Sequence, residues 1–343
     1  MSLTSRIAST MINPLLAIAA GVAVSLVVFA IAGIPPLGGL KTLLFSFGVY
    51  PEIVFVRASV LILTGLAFAI PLRVGLFNIG AEGILYAGAI TSLVVALTLG
   101  GIAVPMAASV IVGITVGLIV GILKEKAGIN EVVSTIMINW IIYWSSLYIV
   151  TALLADPTYP QLTREIPSSS RIGSVELAGY SVPLILLISL ATSIAIWMVM
   201  YYTYLGLSFR VAGSSEKAAV SRGVNVSRVR IASLAVAGGL SGLAGSLLLL
   251  GHAGAIDTLL STLRGYGFEG IGVALVGGNH PLGVIAAGLF FADLVAGSET
   301  IQRIYDIPPE MADLVTGAMI VAIAAVRSMG YIISVIRVRM GWM

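Results

Sequence analysis

The chain has 343 residues, of which 59% are apolar and 10% charged, with a formal net charge of +3 and a mean hydropathy of +1.09. A water-soluble domain carries roughly 25% charged residues, so the composition excludes that class and indicates an integral membrane protein. There is no cysteine, which rules out disulfides and thiolate metal sites.

Apolar residues run in stretches of about 20, the length that crosses ~30 Å of hydrocarbon as an α-helix, and the alternation of a membrane β-barrel is missing. In chain order, spans are predicted at 14–34, 53–72, 83–99, 102–123, 133–154, 182–202, 231–251, 263–276, 282–296 and 312–327. The first is too long for a cleaved signal sequence. The eighth is short, glycine-rich and carries Glu269, which suits a broken or re-entrant helix surrounded by protein or a water-filled cavity. The expected fold is all-α, one membrane domain over 1–343 with about ten transmembrane helices, some broken or re-entrant.

An even number of spans places both termini on one side, and basic residues mark the cytoplasmic side. One side holds Arg6, Arg73, Lys124, Lys126, Arg210, Lys217, Arg222, Arg228, Arg230, Arg327, Arg337 and Arg339. The other holds Lys41, Arg57, Arg164, Arg171, Arg264 and Arg303. Both termini are therefore expected in the cytoplasm, together with the polar segment 206–230. The longest outer segment, 155–181, is either a plain connection or a docking surface for an external partner.

Polar residues among the spans are the candidates for function. In RVGLFNIGAEG, 73–83, three glycines surround Asn78 and Glu82, which fits a broken element facing a path or a turn with close helix packing. In GINEVVSTIMINW, 128–140, Asn130 is expected to cap a helix and Glu131 to occupy its first turn. Asn139 follows inside an apolar helix, where an amide facing lipid would be costly, so it serves either a pore or helix packing. Glu131 is expected to be structural, pairing with a basic residue of segment 206–230. Trp140, Tyr143 and Trp144 share one helical face, suited to stacking on a base or sugar, or to lipid and helix contacts. GGNHPLG, 277–283, reads as a tight turn with a solvated His280. Asp293 is expected near the outer end of the ninth span.

Within 206–230, Ser214 and Ser215 suit a helix cap, Glu216 the positive end of its dipole, and Gly223 its stop. A helix of about two turns is predicted, with Ala218 and Ala219 as a small-residue face for another protein. The alternative is a basic loop attracted to anionic headgroups.

The order Glu216, Ala218, Ala219, Gly223 resembles the cytoplasmic loop with which permease subunits of ABC importers dock a short coupling helix on their ATPase. RVGLFNIGAEGILYAGA, GINEVVSTIMINW and GIGVALVGGNHPLGVIAAGLFF are similar to the nucleoside and simple-sugar branch of these permeases, related to the branched-chain amino acid permeases. The likeness runs from Arg6 to Arg327. It implies a plasma-membrane permease whose coupling residues are Ser215, Glu216, Lys217, Ala218, Ala219, Arg222 and Gly223. It implies three protein partners: cytoplasmic ABC ATPase subunits that use ATP and Mg, a second permease chain, identical or related, and an extracytoplasmic substrate-binding protein.

The dipeptide Gly-Lys never occurs, so no phosphate-cradling loop of the G-x-x-x-x-G-K type exists, and no catalytic, metal-binding or nucleic-acid-binding pattern is found. Asn78, Glu82, Asn139, Trp140 and Tyr143 are the expected substrate path. A competing reading is an ion-coupled secondary transporter working without an ATPase, for which Glu82, Glu269 and Asp293 would be the ionisable groups.

Overall fold

A computed structural model gives the placement of residues 19–321 other than 20, 178, 264, 309, 312, 313, 315, 316, 319 and 320. Most of the predicted tenth span and of the C-terminal segment, and the start of the first span, lie outside the described residues. The chain divides into two compact units, Met1–Val54 with Ala292–Met343, and Phe55–Phe291.

In the first unit, α1 (Gly21–Ile31) is followed by α2 (Pro36–Leu44), whose proline stands at the first helical position, where its missing N–H costs nothing. At nine residues α2 is too short to cross the membrane, and it lies between the first two predicted spans. A 3₁₀ turn, Ser46–Gly48, leads to α3 (Pro51–Leu72), of which only the first turn, to Val54, belongs to this unit and the rest to the second; the first unit also holds the second half of α12 (Pro281–Tyr305). Asp293 is not near a helix end: α12 continues to Tyr305, supported by the Glu299–Arg303 pair one turn apart. Its carboxylate accepts the Phe47 N–H at 2.6 Å, closing the 3₁₀ turn against mid-helix.

The second unit contains α4 (Ala81–Leu99), α5 (Ala103–Ala127), α6 (Glu131–Tyr148, prolonged by a π-turn over Ile149–Leu153), α7 (Leu184–Tyr202), α8 (Tyr204–Ser214), α9 (Glu216–Ser221), α10 (Val226–Leu248, prolonged by a π-turn over Leu249–Ala253) and α11 (Tyr266–Val276). Between α6 and α7, β1 (Ser174–Leu177) and β2 (Tyr180–Pro183) form an antiparallel hairpin, with Ser174 opposite Pro183. The segment before it is tied to the end of α10: Ile166 N–H donates to Gly254 O at 2.9 Å and Ile172 N–H to Leu250 O at 2.8 Å.

Among the described residues, seven helices are long and apolar enough to cross a membrane: α3, α4, α5, α6 with its π-turn, α7, α10 with its π-turn, and α12. They coincide with the second to seventh and the ninth predicted spans. The eighth is α11, whose 11 residues rise only about 16 Å, half of the hydrocarbon thickness.

α10 is the core of the second unit. Its row Leu234, Gly238, Gly242 and Gly245 faces Gly113 and Gly117 of α5 and Gly88 of α4, and backbone touches backbone along it. A Cβ on Gly238 would collide with the carbonyl of Gly113, and one on Gly113 with the carbonyl of Gly238. Helices in lipid gain little from hydrophobic burial, so small residues that allow this approach supply packing instead. Three hydroxyls add two hydrogen bonds across the contacts: Ser109 Oγ donates to Gly88 O at 2.7 Å, and Ser92 and Ser246 meet at 2.9 Å.

Replacing Gly238 with Leu is expected to destabilise the protein by roughly 1–3 kcal/mol or more, whereas Gly173→Ala, with open space around it, should have little effect. Thermal unfolding of the detergent-solubilised chain checks this; equal midpoints for the two variants would contradict the seam.

Candidate functional site

α3 ends at Pro71 and Leu72, and residues 73–80 turn the chain back into α4 with Gly75 at φ +82°. Two side chains hold this turn. Asn78, 2% exposed, donates to Ala67 O at 3.1 Å and accepts from Gly80 N–H at 2.9 Å. Asn139 reaches over from α6, accepting from Gly83 N–H at 2.9 Å and donating to Ile79 O at 2.7 Å. Gly83 has no room for a side chain because Asn139 occupies it. Both amides thus serve the backbone, and the glycine cluster is a turn with close packing.

Glu82, 4% exposed, serves a different element. Its carboxylate accepts from Gly265 N–H and Gly267 N–H, each at 2.6 Å, and from the Tyr86 hydroxyl at 2.7 Å. Gly265 is the N-cap of α11 at φ +95°, so the carboxylate caps a helix that offers no side-chain cap of its own. Thr64 Oγ1 donates to Tyr266 O at 2.9 Å and holds the same turn from α3. Gly267 lies so close to the Glu82 backbone that a Cβ there would collide with it. Gly265 and Gly267 were missed in the sequence, since nothing local links them to a position nearly two hundred residues away; Tyr86, one helical turn from Glu82, was missed although its i, i+4 spacing is a local signal.

The Tyr143 ring stands 6.0 Å from that of Tyr86, and Trp140 and Trp144 meet Tyr143 edge-on at 5.8 and 5.4 Å. Trp140 and Trp144 are exposed, while Tyr143 is half-buried, so the three do not form one flat face.

Segment 206–230 is mostly helix, not loop. Residues 204–214 form α8, capped by Thr203 and seated by buried Phe209 and Ala212, and Arg228 and Arg230 already belong to α10. Between them, α9 matches the expected short helix. Ser215 Oγ accepts from Ala218 N–H at 3.3 Å. At the other end Gly223, at φ +75°, lets Gly223 N–H reach Val220 O and Val224 N–H reach Ala219 O, at 2.9 and 3.0 Å. Ala219 is fully buried against its own chain, which corrects the paired-alanine face: the outer face offers Lys217, Ala218, Val220 and Ser221, with a shallow open depression lined by Glu216, Lys217, Val220 and Ser221. Arg222 and Gly223 are exposed at the end of α9.

Arg230 connects α9 to the bundle. Its guanidinium lies 3.1 Å from Glu216 on α9 and 3.6 Å from Glu125 on α5. Lys124 continues the line, 2.6 Å from Glu131 at the start of α6. Glu131 therefore pairs with the end of the preceding helix and not with segment 206–230, because Gly128 at φ +68° folds the chain back within reach. Asn130 caps α6 as expected, accepting from Val132 N–H at 2.8 Å.

Removing the Glu82 carboxylate leaves two buried amides without their acceptor. Hydrogen bonds to a charged group contribute roughly 1.5–3 kcal/mol each, so Glu82→Ala, which loses three of them, is expected to cost more stability than Tyr86→Phe, which loses one. Thermal denaturation in detergent orders the variants, and wild-type behaviour of Glu82→Ala would refute the cap.

The family described as branched-chain amino acid transport system / permease component matches residues 50–324. The guanosine ABC transporter permease protein NupP of Bacillus subtilis (strain 168) is 30% identical over 331 residues, 92% of this chain and 94% of the relative. The nucleoside ABC transporter permease protein NupB of Lactococcus lactis subsp. cremoris is 31% identical over 329 residues, 91% and 90% of the two chains. The glucose ABC transporter permease protein TsgB13 of Haloferax volcanii is 29% identical over 328 residues, 90% and 85%.

Proposed function

The chain belongs to the branched-chain amino acid transport permease family, a multi-pass plasma-membrane permease subunit of an ABC importer, and from that premise we propose that its cargo is a nucleoside or a simple sugar. The relatives named for guanosine, nucleosides and glucose support that cargo class, and their ABC assignment sets aside the ion-coupled reading. The observation that carries the mechanism is α9: a six-residue helix capped at both ends, exposed on one face and ion-paired through Arg230 to α5 and α10.

In this reading separate ATPase subunits, which use ATP and Mg, grip the outer face of α9, at Glu216, Lys217, Ala218, Arg222 and Gly223. Ser215 and Ala219 fix the helix from the inside. Closure of the ATPases moves α9, Arg230 carries the displacement to α5 and α10, and the path opens to the other side. A second permease chain, identical or related, forms the other wall, and an extracytoplasmic binding protein delivers the cargo. This chain binds no cofactor and catalyses no reaction itself. Asn78, Glu82 and Asn139 shape the path by fixing its backbone, and Trp140 and Tyr143 present rings to the cargo.

Substitution of Gly223 by Val forces a β-branched residue into a left-handed position and distorts the end of α9. In proteoliposomes holding the whole transporter, Gly223→Val should uncouple ATP hydrolysis from uptake, lowering cargo uptake about tenfold or more, as loss of ~1.4 kcal/mol of coupling would. Unchanged uptake and unchanged cargo-stimulated hydrolysis would remove α9 from the mechanism.

Both termini and α9 are assigned to the cytoplasm. Since the chain has no cysteine, Val220→Cys supplies a single reporter thiol on an exposed position. A membrane-impermeant maleimide should label it in inside-out vesicles and not in intact cells; the reverse pattern would invert the topology.

A further inference from the structure

Three spans end at one place in the second unit. Arg73 follows the last residue of α3, Tyr201 lies in the last turn of α7, and His280 immediately precedes α12. Span ends stand at the level of the lipid headgroups, so a cluster gathered there meets that layer. The guanidinium carbons of Arg73 and Arg210 lie 5.8 and 5.0 Å from the centroid of the Tyr201 ring, and the His280 ring is 5.0 Å from it.

The donors of this cluster are only partly used. Arg73 Nε donates to Asn279 O at 2.6 Å and Arg210 Nε to Gly206 O at 3.4 Å. A guanidinium carries five N–H donors. Among the described residues the terminal nitrogens of both arginines meet no acceptor, neither side chain has a carboxylate partner, and none of these nitrogens is buried. His280 accepts the Leu282 N–H at Nδ1, at 3.2 Å, which places its own proton on Nε2 as a further donor. Burial, and then the charge of Arg73, hold its imidazole below the ordinary histidine value. Two cations stacked on one tyrosine without a counter-charge form a site complementary to an anion.

The surroundings decide which anion. Tyr202, Tyr204, Leu205 and Leu207, on the chain leading to Arg210, are all exposed. Aromatic and aliphatic side chains beside basic ones at the ends of spans match a molecule with a charged head and apolar tails. We propose that Arg73 and Arg210, with His280 beside them, bind the phosphate of an anionic glycerophospholipid whose acyl chains lie along Tyr204, Leu205 and Leu207. The site is independent of the cargo and of α9.

The test uses the full chain in mild detergent, with lipid retention read by native mass spectrometry and thermal unfolding followed against added phosphatidylglycerol, phosphatidylcholine or inorganic phosphate. Phosphatidylglycerol should be retained and should raise the unfolding midpoint at a concentration roughly thirtyfold lower than phosphatidylcholine, the ratio two basic residues facing an anionic headgroup give. The double variant Arg73→Gln with Arg210→Gln should lose that preference, and Arg73→Lys with Arg210→Lys should keep most of it. Equal response of the wild type to the two lipids overturns the proposal, whether or not the glutamine variant folds. Inorganic phosphate acting as well as phosphatidylglycerol overturns the lipid assignment, and undiminished phosphatidylglycerol retention by the glutamine variant overturns the choice of residues.

Discussion

A helix that begins where water cannot reach leaves its first amides without partners, and a chain built for hydrocarbon must supply them from its own atoms. At the start of α11 the supplier is Glu82, which places one carboxylate against Gly265 N–H and Gly267 N–H. The rest of the region is shaped to allow it. Gly267 lacks a side chain because the Glu82 backbone occupies the space, Tyr86 donates to the same carboxylate, and Asn78 and Asn139 hold the turn that delivers Glu82 to its place. An ionised group buried in so apolar a protein is stable only with such a complete set of donors.

Lys124, Glu125, Glu131, Glu216 and Arg230 gather near the ends of helices. There they join helices that hydrophobic burial alone holds weakly in lipid. Arg230 joins α9 to α5 from a position on α10, and α10 in turn meets α5 and α4 through a seam of glycines. A displacement entering at α9 therefore meets, in order, an ionic link and a rigid backbone contact.

Much of this was legible in the sequence, for physical reasons that differ by element. Seven of the ten predicted spans were readable because hydrocarbon thickness sets a length that apolar runs must fill. α9 was readable because serine before and glycine after a short helix are local signals, as was Asn130 before α6. Most misreadings come from side-chain contacts that no local pattern specifies. Nothing near Ala219 says that it packs inward, nothing near Asp293 names Phe47, and nothing near Glu131 distinguishes Lys124 from Arg230 as its partner. α8 was read as loop because its glycine and serines weaken helix propensity, and only burial of Phe209 and Ala212 outweighs that.

The two arms of Arg230 differ in their surroundings. Glu216 is 59% exposed at its side chain, whereas Glu125 is 11% exposed. Dissolved ions screen exposed charges over about 8 Å at physiological concentration and reach enclosed ones far less. As ionic strength rises, the grip of α10 on α9 slackens first, while its grip on α5 persists. The same cation is thus a fastener on one side and a slip joint on the other, set by the salt in the surrounding water.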